Sequence, residues 1–478
     1  MQLRRIEGDL WEIAREGRMR VPGRVYSVGP PVPNDPALEQ VANVAHLPGI
    51  LRYALAMPDI HWGYGFPIGG VAAVDVEKGA ISPGGVGYDI NCGVRLISTE
   101  LEAEALATCR HALAAELFRT IPTGVGSSNA IPRLRDEELH AVLEQGARWA
   151  MKRGFAAADD DALRCEEGGA LAGADPSCVS ERAKARGLDQ LGTLGSGNHF
   201  LEVDRVTEIY DPAAASAFGL REGTVAIQIH SGSRGLGYEV CDAALFSLAE
   251  QRLDFGEDYR HLPDPQLACA PIASEPGAAY LGAMQAAANY AWANRQVMTG
   301  LAVRALSRMA GMGGDVGARV VYDVCHNVAK REVHLVGGLP LEVLVHRKGA
   351  TRALGPGDER VPLPYRAVGQ PVLIPGDMGR YSYVLAGTSR ALEETFGSSC
   401  HGAGRRLSRG EALRMSRGRS IAQELEARGI EVMARARKTL GEEMSEAYKD
   451  VADVVAVMAR SGITRLVAKL CPFVVVKG

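Results

Sequence analysis

The chain has 478 residues, enough for two or three units of ordinary domain size and for a sizeable buried core. Hydrophobic residues make up 46% and charged residues 23% of it, a globular composition that excludes a disordered or fibrous chain. The formal net charge of −4 gives no overall basic character, so a phosphate-rich partner must be held by a local patch or by metal ions.

Cysteine usage and the N-terminus bear on the compartment. The nine cysteines are scattered without the dense spacing of a disulfide framework, which indicates a reducing environment. The first turns mix charged and apolar residues and contain no apolar signal-peptide core. We find no run of about 20 apolar residues that could span a bilayer. We therefore expect a cytoplasmic protein with no membrane partner.

The first half of the chain predicts strands followed by helices. Between residues 50 and 100, short apolar runs such as GGVAAVDV and GVRLIS are separated by glycine-rich turns, which is typical of strands joined by loops. Residues 101–150 switch to a helical period rich in Ala, Leu and Glu. The acidic, small-residue-rich segment at about 150–185 is expected to be a surface insertion.

The second half predicts one long helix and a helical C-terminal region. An alanine-rich pattern over 278–311 indicates an interior helix. Helical sequence near 411–461 precedes LVAKLCPFVVVKG, which reads as a buried strand or extended tail. Because no βα periodicity is present, we expect an α+β fold. A single large catalytic domain, residues 1–478, would have mixed or antiparallel sheets surrounded by helices.

The motif GGVGYDINCGVR offers a pair of metal-binding side chains. Asp89 and Cys92 stand three residues apart between glycines that allow the backbone to approach a ligand closely. Thiolate, carboxylate and imidazole groups together suit zinc or manganese, and a thiolate can bridge two ions. Taken alone, the motif is more typical of a buried cysteine in a tight turn than of a metal site.

Three histidines stand at the ends of apolar runs. In TLGSGNHFLEV, His199 is flanked by Asn198 and Glu202, and the glycines there do not form a phosphate loop of the GxxxxGK[ST] kind. His230 ends the run VAIQIH and is followed by Arg234, which could fork onto phosphate oxygens. His326 follows VVYDVC, where a core histidine is the alternative. With Asp89 and Cys92 they supply five donors, enough for a two-metal centre.

His401, in SSCHGAGRRLSR, is the candidate nucleophile. Small neighbours leave its ring accessible, and an imidazole nitrogen can attack a nucleotide α-phosphate when cations neutralise the oxygens. Arg405, Arg406 and Arg409 follow it, and further arginines extend the stretch to residue 419. This basic stretch could track a polynucleotide backbone or could be a solvated helix face.

Three further loops are rich in glycine. HRKGATR, with His346, Arg347, Lys348 and Arg352, and PGDMGR, with Asp377 and Arg380, have the cationic character of phosphate-contacting loops. MPDIHWGYGFPIGG, with Asp59 and His61, is aromatic and could equally be a packed turn. None of the three identifies a reaction by itself.

In this order, the motifs MPDIHWGYGFPIGG, GGVGYDINCGVR, GSGNHFLEV, HSGSRGLG, CHN, HRKGATRA and SSCHGAGR resemble the RtcB family of RNA-splicing ligases. The resemblance covers the chain from about residue 20 to the last lysine. It implies an enzyme that uses GTP and Mn²⁺ to join RNA ending in a 2′,3′-cyclic phosphate or 3′-phosphate to RNA with a 5′-hydroxyl. An archease-like activator is a further partner that the resemblance suggests.

The resemblance also implies roles for individual residues. Cys92 would bridge two manganese ions, Asp89 and His199 would complete one site, and His230 and His326 the other. His401 would carry GMP. The residues expected to contact the guanosine nucleotide are Asn198, Phe200, Glu202, Asp377, His401, Arg405, Tyr448 and Lys477. RNA phosphates are expected to contact Arg234, Lys348 and Arg409.

The sequence departs from the family pattern at Asp377, where serine is usual. A carboxylate near phosphates is repulsive unless a metal or Arg380 compensates it, so this residue bears on nucleotide affinity and choice. Two other functions stay open at this point. A dinuclear phosphoesterase acting on RNA ends would need the metal ligands without His401, and a non-ligating RNA-repair accessory protein would leave the ligand set unexplained.

Overall fold

Two large β-sheets organise the molecule, and the computed structural model describes residues 1–311 and 315–478. The strands are β1 (Leu3–Glu7), β2 (Leu10–Ile13), β3 (Gly23–Tyr26), β4 (Ala54–His61), β5 (Ile68–Asp75), β6 (Ala80–Ile81), β7 (Gly93–Glu102), β8 (Phe200–Ile209), β9 (Thr224–Ser231), β10 (Ala270–Pro271), β11 (Arg319–Cys325), β12 (Asn327–Val336), β13 (Leu339–Lys348), β14 (Thr351–Arg352), β15 (Pro371–Ile374), β16 (Ser382–Gly387), β17 (Ser398–Ser399), β18 (Glu431–Ala434) and β19 (Thr464–Lys477).

The α-helices lie around these sheets. They are α1 (Pro36–Val44), α2 (Arg110–Thr120), α3 (Asp136–Gln145), α4 (Ala147–Lys152), α5 (Glu181–Gly187), α6 (Pro212–Phe218), α7 (Arg234–Gln251), α8 (Glu257–Arg260), α9 (Glu275–Met309), α10 (Ser389–Thr395), α11 (Arg409–Met415), α12 (Ile421–Glu426), α13 (Arg437–Glu442) and α14 (Val451–Arg460). Short 3₁₀ turns connect several of them. In the part of the chain that the structure describes, no helix combines the length and apolarity of a membrane span.

The sheets are mixed but mainly antiparallel, which confirms the expected α+β fold. The seven-stranded sheet has the order β1-β2-β3-β4-β5-β13-β12, and the eight-stranded sheet the order β11-β7-β9-β8-β19-β16-β15, with β18 pairing to β19. Only the pairs β3–β4 and β18–β19 are parallel among the described strand pairs. The remaining strand pairs form two-stranded ribbons, β6–β10 and β14–β17.

The predicted long helix is confirmed as α9, and it is buried over most of its length. Its Ser274 N-cap accepts from the Gly277 amide, which fixes where the helix begins. Small alanines let neighbouring elements pack closely, while Asn289, Asn294 and Arg295 donate to main-chain carbonyls of α3, Gly232 and the end of β9. The helix therefore connects segments that are distant in sequence.

The segment at 150–185 was expected to lie on the surface, and the structure corrects this in part. Asp161, Cys165 and Glu166 are buried. Glu166 accepts from Lys330 Nζ on β12 at 2.6 Å, and Asp161 accepts from Gln296 of α9 at 2.8 Å. Glu166 forms an ion pair with a buried lysine, and Asp161 accepts a hydrogen bond from a buried amide. Composition alone could not reveal those partners.

At the C-terminus the helical prediction is confirmed except over β18. This short strand interrupts the helices because its backbone pairs in parallel with β19 from Glu431 to Ala434. The predicted terminal strand is confirmed as β19, which pairs with β8 and β16 and is buried toward its end. The last lysine, Lys477, is thereby set opposite Phe200 in the register of β8.

Candidate metal and nucleotide site

Four of the predicted metal ligands meet at one edge of the eight-stranded sheet. Cys92 directly precedes β7, His199 precedes β8, His230 lies near the end of β9, and His326 follows β11. These strands are neighbours in the order β11-β7-β9-β8 and run antiparallel, so the start of one lies beside the end of the next. The strand order thus brings together residues that are more than 200 positions apart in sequence.

The ligand atoms are close enough to share metal ions. One donor atom each from Asp89, Cys92 and His199 lies within 4.8 Å of the others. Asp89 Oδ2 is 2.8 Å from His199 Nε2, and Cys92 Sγ is 3.5 Å from that nitrogen. On its other side, Cys92 Sγ is 3.2 Å from His230 Nε2. The sulfur therefore stands between two imidazoles, as a bridging thiolate would.

His326 completes this group from the far side of His230. The two ring centroids are 5.6 Å apart, and His326 Nδ1 is 2.9 Å from Thr351 Oγ1. Its buried Nε2 has no hydrogen-bond partner among the described residues. Burial lowers the pKa of His230 and of His326 well below the ordinary value, which keeps both rings neutral. Neutral imidazoles with a free lone pair are what a metal requires, so the donor set fits one.

A hydrogen bond and a close backbone approach position the loops that carry the candidate ligands. His199 Nδ1 lies 3.0 Å from the Leu194 carbonyl, which orients the ring as carbonyls commonly do for ligating histidines. Gly232 passes so close to Asp89 that a Cβ there would lie 2.3 Å from the carboxylate. Glycine is therefore needed at this position for the two loops to meet.

A buried ion cluster supports the ligand loops from beneath. Arg295 of α9 donates to both oxygens of Asp323 and to the main-chain carbonyls of Asn91 and Ser231. Asp323 also accepts from Arg95 Nε at 2.7 Å. Asn91 and Ser231 adjoin Cys92 and His230, so one guanidinium fixes the backbone beside two candidate ligands.

His401 is held by Asp59, a residue for which the sequence pattern predicted no role. Asp59 Oδ2 is 2.5 Å from His401 Nδ1 and accepts from the amides of His401 and Gly402. Although burial opposes ionisation, the His401 contacts lower the pKa of Asp59. Nδ1 therefore carries the proton, and the lone pair of Nε2 is left for chemistry. The signal that could have found Asp59 is its acidic side chain inside an otherwise apolar strand, β4.

One cavity of about 430 Å³ connects the histidines with the predicted nucleotide contacts. Its walls include these predicted residues: Asp89, Cys92, Asn198, Phe200, Glu202, His230, His326, Lys348, Asp377, His401, Arg405, Arg409, Tyr448 and Lys477. His199 and Arg234 are not part of the wall. His199 stands behind Asp89, and Arg234 Nε donates to Thr193 Oγ1 at 3.2 Å.

The part of the cavity wall beside His230 is aromatic and charged, and the Phe200 ring centroid lies 5.3 Å from that of His230. Lys477 Nζ lies 5.4 Å from the centre of the Phe200 ring and donates to the Asn198 carbonyl. Burial and the nearby Asp204 raise the pKa of Glu202, and burial lowers the pKa of Lys477. These side chains surround a slot in which a planar base could stack and form hydrogen bonds.

Glu443 belongs to this slot and was not found from the sequence. It is buried, accepts from Arg405 Nη1 at 3.1 Å and from the Tyr448 hydroxyl, and lies 3.8 Å from Arg409. The Arg405 guanidinium also lies 5.0 Å over the Tyr448 ring. Glu443 sits in a stretch of charged helical sequence, where nothing marks one acidic residue as buried.

Asp377 lines the cavity but its charge is compensated. One oxygen accepts from the Gly379 amide at 3.1 Å and from Ser445 Oγ, and the other accepts from Arg380 Nε. The side chain of Asp377 is 1% exposed. The compensation by Arg380 that the sequence required is therefore present.

The cationic loop HRKGATR was expected to contact phosphates, and the structure corrects this for most of it. Arg347 pairs with the buried Glu332, Arg352 pairs with the partly exposed Glu167, and the His346 ring is fully buried. Alone among the four basic side chains of this loop, Lys348 reaches the cavity, where burial lowers its pKa to about 7. Carboxylates elsewhere in the chain neutralise the two arginines.

Comparisons with known proteins agree over the length of the chain. A family model described as "tRNA-splicing ligase RtcB" matches residues 40–478. Proteins named tRNA-splicing ligase RtcB from Archaeoglobus fulgidus and Thermococcus kodakarensis are each 50% identical over 481 residues, covering 100% of this chain and 99% of theirs. The RNA-splicing ligase RtcB of Mycobacterium tuberculosis is 50% identical over 442 residues, covering 92% of this chain and 100% of its own.

Proposed function

Because the chain belongs to the RtcB family and is an RNA ligase, we propose that it seals RNA with GTP and two Mn²⁺ ions. It joins a 2′,3′-cyclic phosphate or 3′-phosphate end to a 5′-hydroxyl end through a histidine–GMP intermediate. The observation that carries the proposal is the placement of His401. Its ring centroid is 5.2 Å from that of His326, and it shares the cavity with Cys92 and the aromatic slot.

The proposed metal centre uses Asp89, Cys92, His199, His230 and His326. Two observations support it: His326 Nε2 has no hydrogen-bond partner in the described part of the chain, and the Cys92 sulfur lies between two imidazoles. Bound cations would neutralise phosphoryl oxygens and lower the pKa of an attacking hydroxyl. Manganese suits a set that mixes carboxylate, thiolate and imidazole, although affinity alone ranks zinc above it.

The reaction needs specific actions from this chain's own residues. A cyclic phosphate is first hydrolysed to a 3′-phosphate. Asp59 keeps the proton on Nδ1 of His401, and Nε2 attacks the α-phosphorus of GTP, forming an N–P bond as pyrophosphate leaves. GMP then passes from His401 to the RNA 3′-phosphate. Attack by the 5′-hydroxyl forms the phosphodiester and releases GMP.

In the proposed guanosine slot, the base would stack on Phe200. The Glu202 side chain lines the same cavity as Lys477 and would accept from the base edge, while Arg405 and Lys477 would supply positive charge for the phosphates. Tyr448 holds Arg405 by a stacking contact, and both are tied to Glu443. Selection of guanine over adenine would follow from the donor pattern of its edge meeting a carboxylate.

The first prediction concerns covalent attachment of the nucleotide. Protein incubated with Mn²⁺ and α-labelled GTP should retain label through denaturing electrophoresis, and it should not with α-labelled ATP. A His401→Ala variant should show no adduct and no ligation, because the nucleophile is gone. Pre-treatment with a chelator should also abolish the adduct, and added Mn²⁺ should restore it.

The same experiment separates the other functions. A metal-dependent phosphoesterase would hydrolyse cyclic phosphate ends equally well after the His401→Ala change and would form no adduct. An accessory protein would show neither activity. Either pattern in the metal-loaded protein contradicts the proposal, whereas a GMP adduct that depends on His401 supports it.

A second prediction concerns the compensation of Asp377. An Arg380→Ala change would leave a buried carboxylate uncompensated beside the nucleotide phosphates, so the KM for GTP should rise by about tenfold. An Asp377→Ser change removes the charge itself and should alter this KM much less. The double variant should recover most of the Arg380→Ala loss. Equal KM values in all four proteins would show that the pair does not face the nucleotide.

A further inference from the structure

An exposed row of side chains on α7 begins beside the candidate metal site. The helix starts at Arg234, four residues after His230. Tyr238, Asp242 and Phe246 follow at intervals of four and are exposed, so they form one row along the outer face. The row ends about 18 Å from the start of the helix, since an α-helix rises about 1.5 Å per residue.

Two tyrosines connect this row with the reaction cavity. Tyr88, the neighbour of Asp89, stacks on Tyr238 with ring centroids 4.9 Å apart and planes inclined by 22°. Tyr64 meets the edge of Tyr88 at 5.5 Å. Both Tyr64 and Tyr88 line the reaction cavity and also a surface groove of about 500 Å³ that includes Asp242 and Phe246. The groove is therefore continuous with the site.

The groove is apolar where its rings are exposed, and Asp242 is an exposed carboxylate within it. Tyr238 is 47% and Phe246 is 68% exposed, which is costly for large rings without a partner. At its rim, both oxygens of Glu239 are taken by Arg182 and Arg186, each at 2.8 Å. Both guanidinium groups remain open to solvent and can still meet phosphate oxygens.

We propose that Tyr64, Tyr88, Tyr238 and Phe246 form a stacking groove for the bases of the RNA strand whose 3′-phosphate end is joined. This rests on the proposed function. A strand with its terminal phosphate at the metal ligands must leave the cavity, and the aromatic groove leads out of it beside Asp89. Single-stranded bases stack on aromatic faces with little dependence on sequence. Asp242, between two of the rings, can accept from base amino groups.

A nucleic acid fits this groove better than an apolar protein segment does. The rings form a row leading from the reacting end rather than a closed patch, and polar groups alternate with them along α7. A protein docking surface would gain nothing from continuity with the reaction cavity. An RNA strand requires it, because its end must be bonded while the rest of the strand stays bound.

The test measures RNA affinity and ligation in Tyr238→Ala and Phe246→Ala variants. Both side chains are exposed, so folding should be preserved. We expect the Kd for a labelled single-stranded RNA with a 3′-phosphate, and the KM for that strand, to rise about tenfold for each ring removed. Tyr238→Phe should behave as the unchanged protein does. The GMP adduct, which needs no RNA, should form at the normal rate.

Two controls sharpen this test. Tyr210 is 42% exposed and follows the far end of β8, about 30 Å along the strand from Phe200, so Tyr210→Ala should leave Kd and KM unchanged. Shortening the 3′-phosphate strand to a dinucleotide should remove the difference between Phe246→Ala and the parent, because so short a strand does not reach Phe246.

Three outcomes would contradict the proposed RNA-binding role of the groove. These are an unchanged Kd in both alanine variants, a loss that follows the 5′-hydroxyl strand instead, or a defect that appears only with a protein activator present. Because RNA binding is measured directly by fluorescence anisotropy, the groove is tested even if the parent protein forms no GMP adduct. Failure of the adduct with RNA binding intact would count against the proposed function alone.

Discussion

An Asp59→Ala variant is expected to attach GMP about a hundred to ten thousand times more slowly than the parent, a range typical of losing the acid that orients a catalytic histidine. Without Asp59, His401 Nδ1 loses its acceptor and two backbone amides lose theirs. The ring is then free to turn, and its proton can reside on Nε2 instead of Nδ1. In that tautomer Nε2 has no lone pair with which to attack GTP. The rate of adduct formation under single-turnover conditions, together with the Kd for GTP, measures this effect.

Asp59 is a positioning residue, so the rate should fall while GTP binding stays within about threefold of normal. Asp59→Asn retains an acceptor for the amides and for Nδ1 but lacks the charge that stabilises the developing cation on His401. It should recover part of the rate. Asp35→Ala is a control for stability alone, because it removes an N-cap of α1 worth about 1 kcal/mol and should leave the rate unchanged. A normal adduct rate in Asp59→Ala would refute the assignment.

The sequence singles out four candidate metal ligands because each sits where an apolar strand begins or ends: Cys92, His199, His230 and His326. A polar side chain directly after an apolar run such as VAIQI or VVYDVC is held by a rigid element at the point where the apolar pattern stops. The sequence could not say that these strand ends meet. That follows from the order β11-β7-β9-β8, in which pairing connects residues more than 200 positions apart.

Asp59 and Glu443 show what the sequence could not supply. Both are acidic residues whose importance lies in one partner that is distant in the chain, His401 for the first and Arg405 for the second. Conversely, Arg347 and Arg352 have the composition of a phosphate-binding loop, yet they are neutralised by Glu332 and Glu167. The charge of a side chain is visible in sequence, but its compensation depends on tertiary contacts.

The same reason explains the two errors in the fold. The segment at 150–185 looks solvated because it is acidic, yet Glu166 meets Lys330 in the core. The residues of β18 read as part of a helical region, but pairing with β19 outweighs their weak local preference. Long α9 and the terminal β19 were predictable because each has a strong pattern over many residues.

An Arg295→Met variant is expected to lose about 3–5 kcal/mol of unfolding free energy and to bind Mn²⁺ more weakly. The guanidinium is fully buried, and its removal leaves the carbonyls of Asn91 and Ser231 and one face of Asp323 without donors. Those carbonyls belong to the loops that carry Cys92 and His230. Urea denaturation followed by circular dichroism measures the first effect, and titration calorimetry with Mn²⁺ measures the second.

A matched Arg308→Met change on the same helix shows whether the effect comes from the position of Arg295 or from the loss of any arginine. Arg308 is 53% exposed and pairs with Glu116 at the surface, so Arg308→Met should cost at most about 1 kcal/mol and should not alter Mn²⁺ affinity. The Arg295→Met protein could be less stable yet bind Mn²⁺ normally at a temperature where it remains folded. In that case the ion cluster of Arg295, Asp323 and Arg95 would stabilise the core without affecting the metal site. Weaker Mn²⁺ binding by the folded variant means that the guanidinium holds the two ligand loops at the spacing the ions require.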